Sequence, residues 1–230
     1  MIVVIGLPAY AGTADGQGSA GGLAVEVAAA AHAHGGSVEL VGKIGDDGAG
    51  DAVVLALGRL GVGHAALLRD PARPTPVLAA APEMEPETAD EAADALVAGG
   101  TDEEAGVTAA LLPADPAARP GLDAGDVSLA MRYLAEARVV VLAEPLPELA
   151  VEAVVEGATF AGARLVVLLP PGATPPRLPA EATLLEAPAV DDGSFGRVVG
   201  AFAAALDAGS EPADAFAEAV RVSGWEPVAD

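Results

Sequence analysis

The sequence predicts an α/β protein: a mostly parallel central sheet covered by helices on both faces, a three-layer α/β/α sandwich. Three observations carry this expectation. Apolar runs such as Ile2–Ile5, Val139–Ala143 and Leu165–Leu169 lack polar alternation, as strands buried on both faces do. Stretches with helical spacing separate them, and β-strand and helix patterns alternate along the chain. At 230 residues, without an internal repeat or an interdomain linker, the expectation is one domain over residues 1–230.

Each element has its own reason. Ile2–Ile5 is the first strand, followed by a Gly-rich loop to Gly22 and an Ala-rich helix from about Leu23 to His34. Val38–Val41 is the second strand. Gly48–Leu60 places apolar residues at 53, 54, 57 and 60, one helical face. Ala65–Leu68 and Val77–Ala81 read as short strands. The acidic, Pro-bearing stretch from Pro82 to Gly100 reads as a partly helical, solvated excursion, and Gly106–Leu112 as a further strand.

Asp123 or Asp126 can cap a helix running to about Ala137. Val139–Ala143 is β-branched and strand-like, Pro147–Ala161 helical, and Leu165–Leu169 a buried strand. The proline-dense loop Pro170–Pro179 is irregular. Thr183–Leu185 is a short strand, and helices at about Phe195–Ala208 and Glu211–Val222 break at Gly209. Aromatic residues make up only 3% of the chain, so the core must be filled by Ala, Val and Leu.

Charge narrows the function classes. Eleven basic residues face 34 acidic ones, a net charge of −23, and Lys43 is the only lysine. Such a field repels nucleic acid phosphates. The acidity fits either solubility or adaptation to a high-salt, halophilic cytoplasm. No cysteine is present, which excludes disulfides and thiolate metal sites and suits a reducing compartment. The opening MIVVIGLP has no basic leader region and is too short to span a membrane, so a cytoplasmic protein is expected. His32 and His34 stand two apart on a helix and do not share a face, which argues against a metal pair.

Two segments carry a resemblance. Val41–Asp51 reads VGKIGDDGAGD and continues AVVLALGRLGV. Gly42, Gly45 and Gly48 permit tight turns and close backbone approach, while Asp46 and Asp47 can cap the next helix. Upstream, Ser19-Ala20-Gly21-Gly22 precedes the Ala-rich helix. Together these resemble the ribokinase-like (PfkB) carbohydrate kinases. The resemblance implies an architectural role for the first segment and a substrate-side hinge at Gly21 and Gly22.

In that family an Asn stands four positions after the second glycine and a lysine directly after it. Here those places hold Glu26 and Leu23. Asp15 is the only stand-in for the substrate aspartate that the family places after its first strand. Glu144 matches a glutamate that lies on the family's substrate side, at the carboxyl end of a strand where open α/β sheets bind ligands.

Further on the resemblance implies a loss. The family's Asn–Glu pair has no counterpart in Leu184-Leu185-Glu186-Ala187-Pro188, and the elements of the adenine pocket are missing before about residue 190. Val190–Phe202 resembles the family's Gly-Ala-Gly-Asp signature. Gly193 keeps the first glycine, Phe195 replaces the second, and Gly196 replaces the catalytic aspartate. Gly193, Ser194 and Gly196 remain as an anion site at a helix start. Asp191 and Asp192 are the weak substitutes for the missing base.

The expected fold is thus ribokinase-like, with part of the nucleotide half missing and a reduced lid. The expected function is a pseudokinase: a degenerate homologue that binds a small polar ligand, sugar-like or nucleoside-like, or a protein partner. The alternatives are a minimal active sugar or nucleoside kinase, and a structural or oligomerisation role. No cofactor is expected, ATP and Mg entering only with the active kinase; no nucleic acid or membrane partner is expected, and a homodimer is compatible. Glu144 and Gly22 are expected on one side of a shared cleft, with Ser194 across from them.

The charge gives the first prediction. Self-repulsion at net −23 should weaken the fold at low ionic strength, and screening should relieve it. Thermal midpoints in chloride should rise between low and molar salt, and a flat or falling series would refute the idea.

Overall fold

A computed structural model of the chain describes residues 1–12, 18–78, 118–189 and 193–224. Its main sheet has six strands: β1 (Ile2–Ile5), β4 (Val38–Gly45), β5 (Leu67–Asp70), β7 (Val139–Leu142), β8 (Arg164–Leu169) and β9 (Thr183–Glu186). Their order is β5-β4-β1-β7-β8-β9, and every pairing is parallel.

The side chains of β1 alternate between two cores, as the strand period requires. Ile2 and Val4, with Val139 and Val141, face helices α1 (Leu23–Ala33), α2 (Gly48–Arg59), α5 (Ser194–Asp207) and α6 (Pro212–Ser223). Val3 and Ile5, with Val140 and Leu142, face α3 (Ala124–Tyr133) and α4 (Glu148–Ala161). The molecule is therefore the three-layer sandwich that the unbroken apolar strands imply.

A second, three-stranded sheet of order β3-β2-β6 stands beside it, formed by β2 (Ala9–Ala11), β3 (Ser19–Gly21) and β6 (Val77–Leu78). β2 pairs antiparallel with β3 and parallel with β6. The sequence predicts a Gly-rich loop where β2 and β3 stand, because three-residue strands leave no periodic pattern. Residues 13–17, with Asp15, and residues 79–117, with the acidic stretch and the strand expected at Gly106–Leu112, lie outside the described residues.

Two boundaries differ instructively. β4 runs to Gly45 instead of ending at Val41, because Gly42–Gly45 pair with Leu67–Asp70 of β5. At Gly42 a Cβ would lie 2.7 Å from the carbonyl oxygen of Gly6, so the glycine serves close packing inside the strand and makes no turn. α3 ends at Tyr133, four residues before the expected Ala137. Its start is as expected: Asp123 and Asp126 form a reciprocal capping box. Asp126 also accepts from Lys43 Nζ at 2.8 Å, which ties β4 to α3 through the only lysine.

Asp47 explains why the GDDG segment is architectural. Its Oδ1 accepts from the Gly50 amide (2.8 Å) and the Thr75 hydroxyl (2.7 Å), and its Oδ2 from the Thr75 amide (2.8 Å). The Thr75 Oγ1 in turn accepts from the Gly45 amide at 2.9 Å. One carboxylate thus joins the end of β4, the start of α2 and the loop before β6. Burial opposes its charge, but the Thr75 and Gly50 hydrogen bonds hold the carboxyl below its ordinary value. Among the described residues, no helix is long and apolar enough to cross a membrane.

Asp47→Ala should therefore cost about 2–4 kcal/mol, from a lost helix cap and an unsatisfied Thr75 pair. Urea unfolding near neutral pH measures it. Because the carboxyl is depressed in the fold, its contribution is present above its ordinary value of 3.8 and fades as pH falls through the lower folded value.

Candidate ligand site at the sheet switch point

The strand order reverses at β1: the chain builds outward through β4 and β5, then returns to place β7 on the other side of β1. Open α/β sheets bind ligands beyond the carboxyl ends of strands at such a point. Here those ends are Gly6-Leu7 after β1 and Ala143-Glu144 after β7.

Four features converge on the Leu7 peptide. Its N–H donates to Glu144 Oε1 at 3.3 Å. Its carbonyl oxygen lies 3.3 Å from where a Cβ at Gly22 would stand. Gly22 is the N-cap of α1, with φ 97°, a left-handed conformation suited to glycine, and its carbonyl accepts from the amides of Val25 and Glu26. At Gly6 a Cβ would lie 2.6 Å from Ala24 Cβ and 3.6 Å from Glu144 Oε1, so the turn after β1 must be bare.

Glu144 keeps part of its surface accessible, yet desolvation pushes its carboxyl up to about 7. The Leu7 hydrogen bond and the charge of Arg119 oppose that rise without cancelling it. Beside Glu144 lies a cavity of about 140 Å³ between the ends of β7 and β8 and the Pro-rich loop. Leu142, Val151, Val167 and Leu169 make its wall apolar, while Glu144 and Thr174 supply polar groups.

The start of α5 lies one turn further along α1. Gly193 is its N-cap at φ 81°, without a side-chain cap. Glu26 reaches over this turn: its Oε2 lies 3.9 Å from a Cβ built at Gly193 and 2.9 Å from one built at Gly196. A Cβ at Gly196 would also stand 2.7 Å from Glu26 Cβ. An aspartate therefore does not fit at 196 while Glu26 keeps its place. The Glu26 carboxylate favours the helix electrostatically and sets a negative charge where an anion would approach.

The structure brings Gly22 and Glu144 together around Leu7, and Glu26 together with Gly193 and Gly196. Among the described residues, no cavity holds both Glu144 and Ser194. The pocket at Glu144 and the groove at Gly193 share no lining residue. Gly21 sits in β3, where a Cβ would press on Leu78 at 2.7 Å, so it serves the small sheet. Phe195, which stands in place of the signature's second glycine, points into the core and is 4% exposed. Asp191 and Asp192 lie outside the described residues. Among the described residues, no three His, Asp or Glu side chains are grouped to hold a metal ion.

Gly6, Leu7 and Arg119 escaped the sequence reading. The glycine at the end of the first strand was a usable signal; Arg119 had none, because it meets Glu144 only through the fold.

No family model matches the sequence, and no curated protein does. Solved structures match in fold. The structure of Sa239 is 12% identical, with a TM-score of 0.61 over 99% of this chain and 95% of that one. Arabidopsis thaliana ribokinase complexed with ribose and ATP is 16% identical, with a TM-score of 0.60 over 96% of this chain and 90% of that one. A proposed phosphofructokinase from Staphylococcus aureus is 13% identical, with a TM-score of 0.58 over 97% and 90%. The chain has the ribokinase-like carbohydrate-kinase fold.

The raised Glu144 carboxyl gives a signed pH dependence. The folded chain holds this proton to about 7, whereas its ordinary value is 4.5. Its ionisation penalty is absent below 4.5, grows towards 7 and is complete above. Glu144→Gln should stabilise the protein at pH 8 by at most about 3 kcal/mol and change little at pH 4.5. Equal effects in urea melts at the two pH values would contradict this.

Proposed function

We propose that this chain is a ribokinase-like protein without phosphotransfer activity, which binds a small polar ligand of the sugar or nucleoside type at Glu144. The observation that carries the reading is Gly196 packed beneath Glu26. At the helix start that resembles the kinase signature, no side chain at 196 can take a proton, and a carboxylate occupies the approach to the helix amides. Loss of the base and repulsion of phosphate act in the same direction.

Glu144 supports the binding half of the proposal. It stands at the switch point with an enclosed carboxyl and the Leu7 amide beside it, where a ligand hydroxyl can donate to it or accept from it. The Arabidopsis ribokinase structure holds ribose and ATP; for this chain we propose the sugar-like ligand alone. The absence of cysteine favours a reducing cytoplasm for it.

One observation favours a second reading, a minimal active kinase using ATP and Mg. A carboxyl near 7 is matched to general-base work at neutral pH, and Glu144 would be that base. Two measurements separate the readings. Incubation with ATP, Mg and ribose, fructose or adenosine should give no phosphorylated product above background. Calorimetry with the same compounds without ATP should find one ligand whose affinity falls about tenfold or more in Glu144→Gln, the loss of a buried hydrogen bond to a charged or shared proton. Turnover abolished by Glu144→Gln would establish the kinase reading; failure of all compounds to bind would leave neither standing.

A further inference from the structure

On the outer face of the α1–α2–α5–α6 layer runs an open groove of about 860 Å³, separate from the cavity at Glu144. Its floor is small: Ala29, Ala30 and Ala33 of α1 let a ligand approach the helix closely. Leu60 at the end of α2 and Val222 at the end of α6 give it apolar rims. From Glu26 to His34 the α1 axis advances roughly 12 Å, at about 1.5 Å per residue, so the groove suits an extended occupant.

Its charge runs against the rest of the molecule. In a chain of net −23, the groove gathers two of the three histidines, His32 and His34, and two arginines, Arg59 and Arg197, against one acid, Glu26. Among the described residues Lys43, Arg69, Arg73, Arg138, Arg164 and Arg221 each pair with a carboxylate, whereas Arg59, Arg119, Arg132, Arg177 and Arg197 form no ion pair, and the groove holds two of these five. Arg197 lies at the α5 end, its Nη1 3.8 Å from a Cβ built at Gly193, and Arg59 closes α2 at another border.

We propose that this groove docks an acidic peptide segment of a partner protein, whose small apolar side chains lie on the alanine floor and whose carboxylates meet Arg59 and Arg197. Guanidinium groups bind carboxylates through paired N–H donors, and an open groove with a low floor fits a peptide better than a small molecule, which needs enclosure. Within the groove Arg59 and Arg197 are the two guanidinium groups, with Glu26 beside the Arg197 end, so their placement sets the register of the peptide as well as its affinity. This inference is independent of the Glu144 reading.

The test is fluorescence anisotropy of a labelled peptide of alternating Glu and Ala, titrated with the full chain at moderate salt. Saturable binding is expected, weakened about tenfold or more by the paired reversal Arg59→Glu and Arg197→Glu, with thermal melting unchanged. A peptide of alternating Lys and Ala should show no such dependence on the two arginines. Absence of saturable binding, or binding that the paired reversal leaves intact, would overturn the proposal. So would displacement of the peptide by inorganic phosphate at comparable concentration, which would assign the groove to a small anion.

Discussion

The close approach of α5 to α1 is the constraint on which the rest of the molecule depends. Gly196 and Gly200 lie one turn apart on the α5 face that meets α1. At Gly200 a Cβ would stand 2.5 Å from Ala30 Cβ and 2.7 Å from the Val27 carbonyl oxygen. Helices whose contact face is bare can pack nearly backbone to backbone, and a core poor in aromatic residues needs such proximity to reach normal density. Larger groups enter only further along, where Phe202 and Phe216 meet edge to face at 5.9 Å and join α5 to α6. The same tight contact lays Glu26 across the first turn of α5. The packing demand thus accounts for a glycine at 196, and an aspartate placed there would have to separate the two helices.

The sheet's own contribution lies at its carboxyl edge. Because β1 is flanked by β4 and β7 at the point where the strand order reverses, the peptide after it is caught between two partners, Gly22 and Glu144. Both exist to suit that crowding: one lacks a side chain, and the other finds the Leu7 amide for a carboxyl that burial disfavours as an anion. At the opposite edge, Arg138 and the amino group of Met1 both reach Asp207, at 2.9 and 2.8 Å, and fasten the end of α5 to the strand layer. α5 is therefore held at its end by charge and along its length by small-residue packing.

How much of this could be read from the chain follows from which interactions are local. β1, β7 and β8 were legible because burial on both faces leaves an unbroken apolar run. The starts of α2 and α3 were legible because Asp47 and Asp123 bond amides three residues away. Glu144 was legible by position, at the end of a parallel strand. β2 and β3 were not, because three residues hold no period and owe their form to each other and to β6. The extension of β4 past Val41 was hidden for the same reason: its glycines look like turn residues until β5 is placed beside them. The seating of Glu26 on Gly196 joins positions far apart in sequence, and nothing local at either residue announces it.

The two carboxylates, Glu26 and Glu144, stand in opposite electrostatic surroundings. Glu26 stays exposed over the first turn of α5, where the helix dipole favours a carboxylate. Glu144 is held where desolvation outweighs the Leu7 amide and the Arg119 charge, so near neutral pH it can donate or accept a hydrogen bond according to what it meets. On the function proposed above, a ligand rich in hydroxyls would exploit that versatility, whereas a phosphate would gain nothing from Glu144 and would be opposed by Glu26. On that proposal, selectivity against phosphate-bearing ligands would need no steric exclusion; it would follow from where two carboxylates stand relative to one helix, and removing the charge of Glu26 alone would relax it.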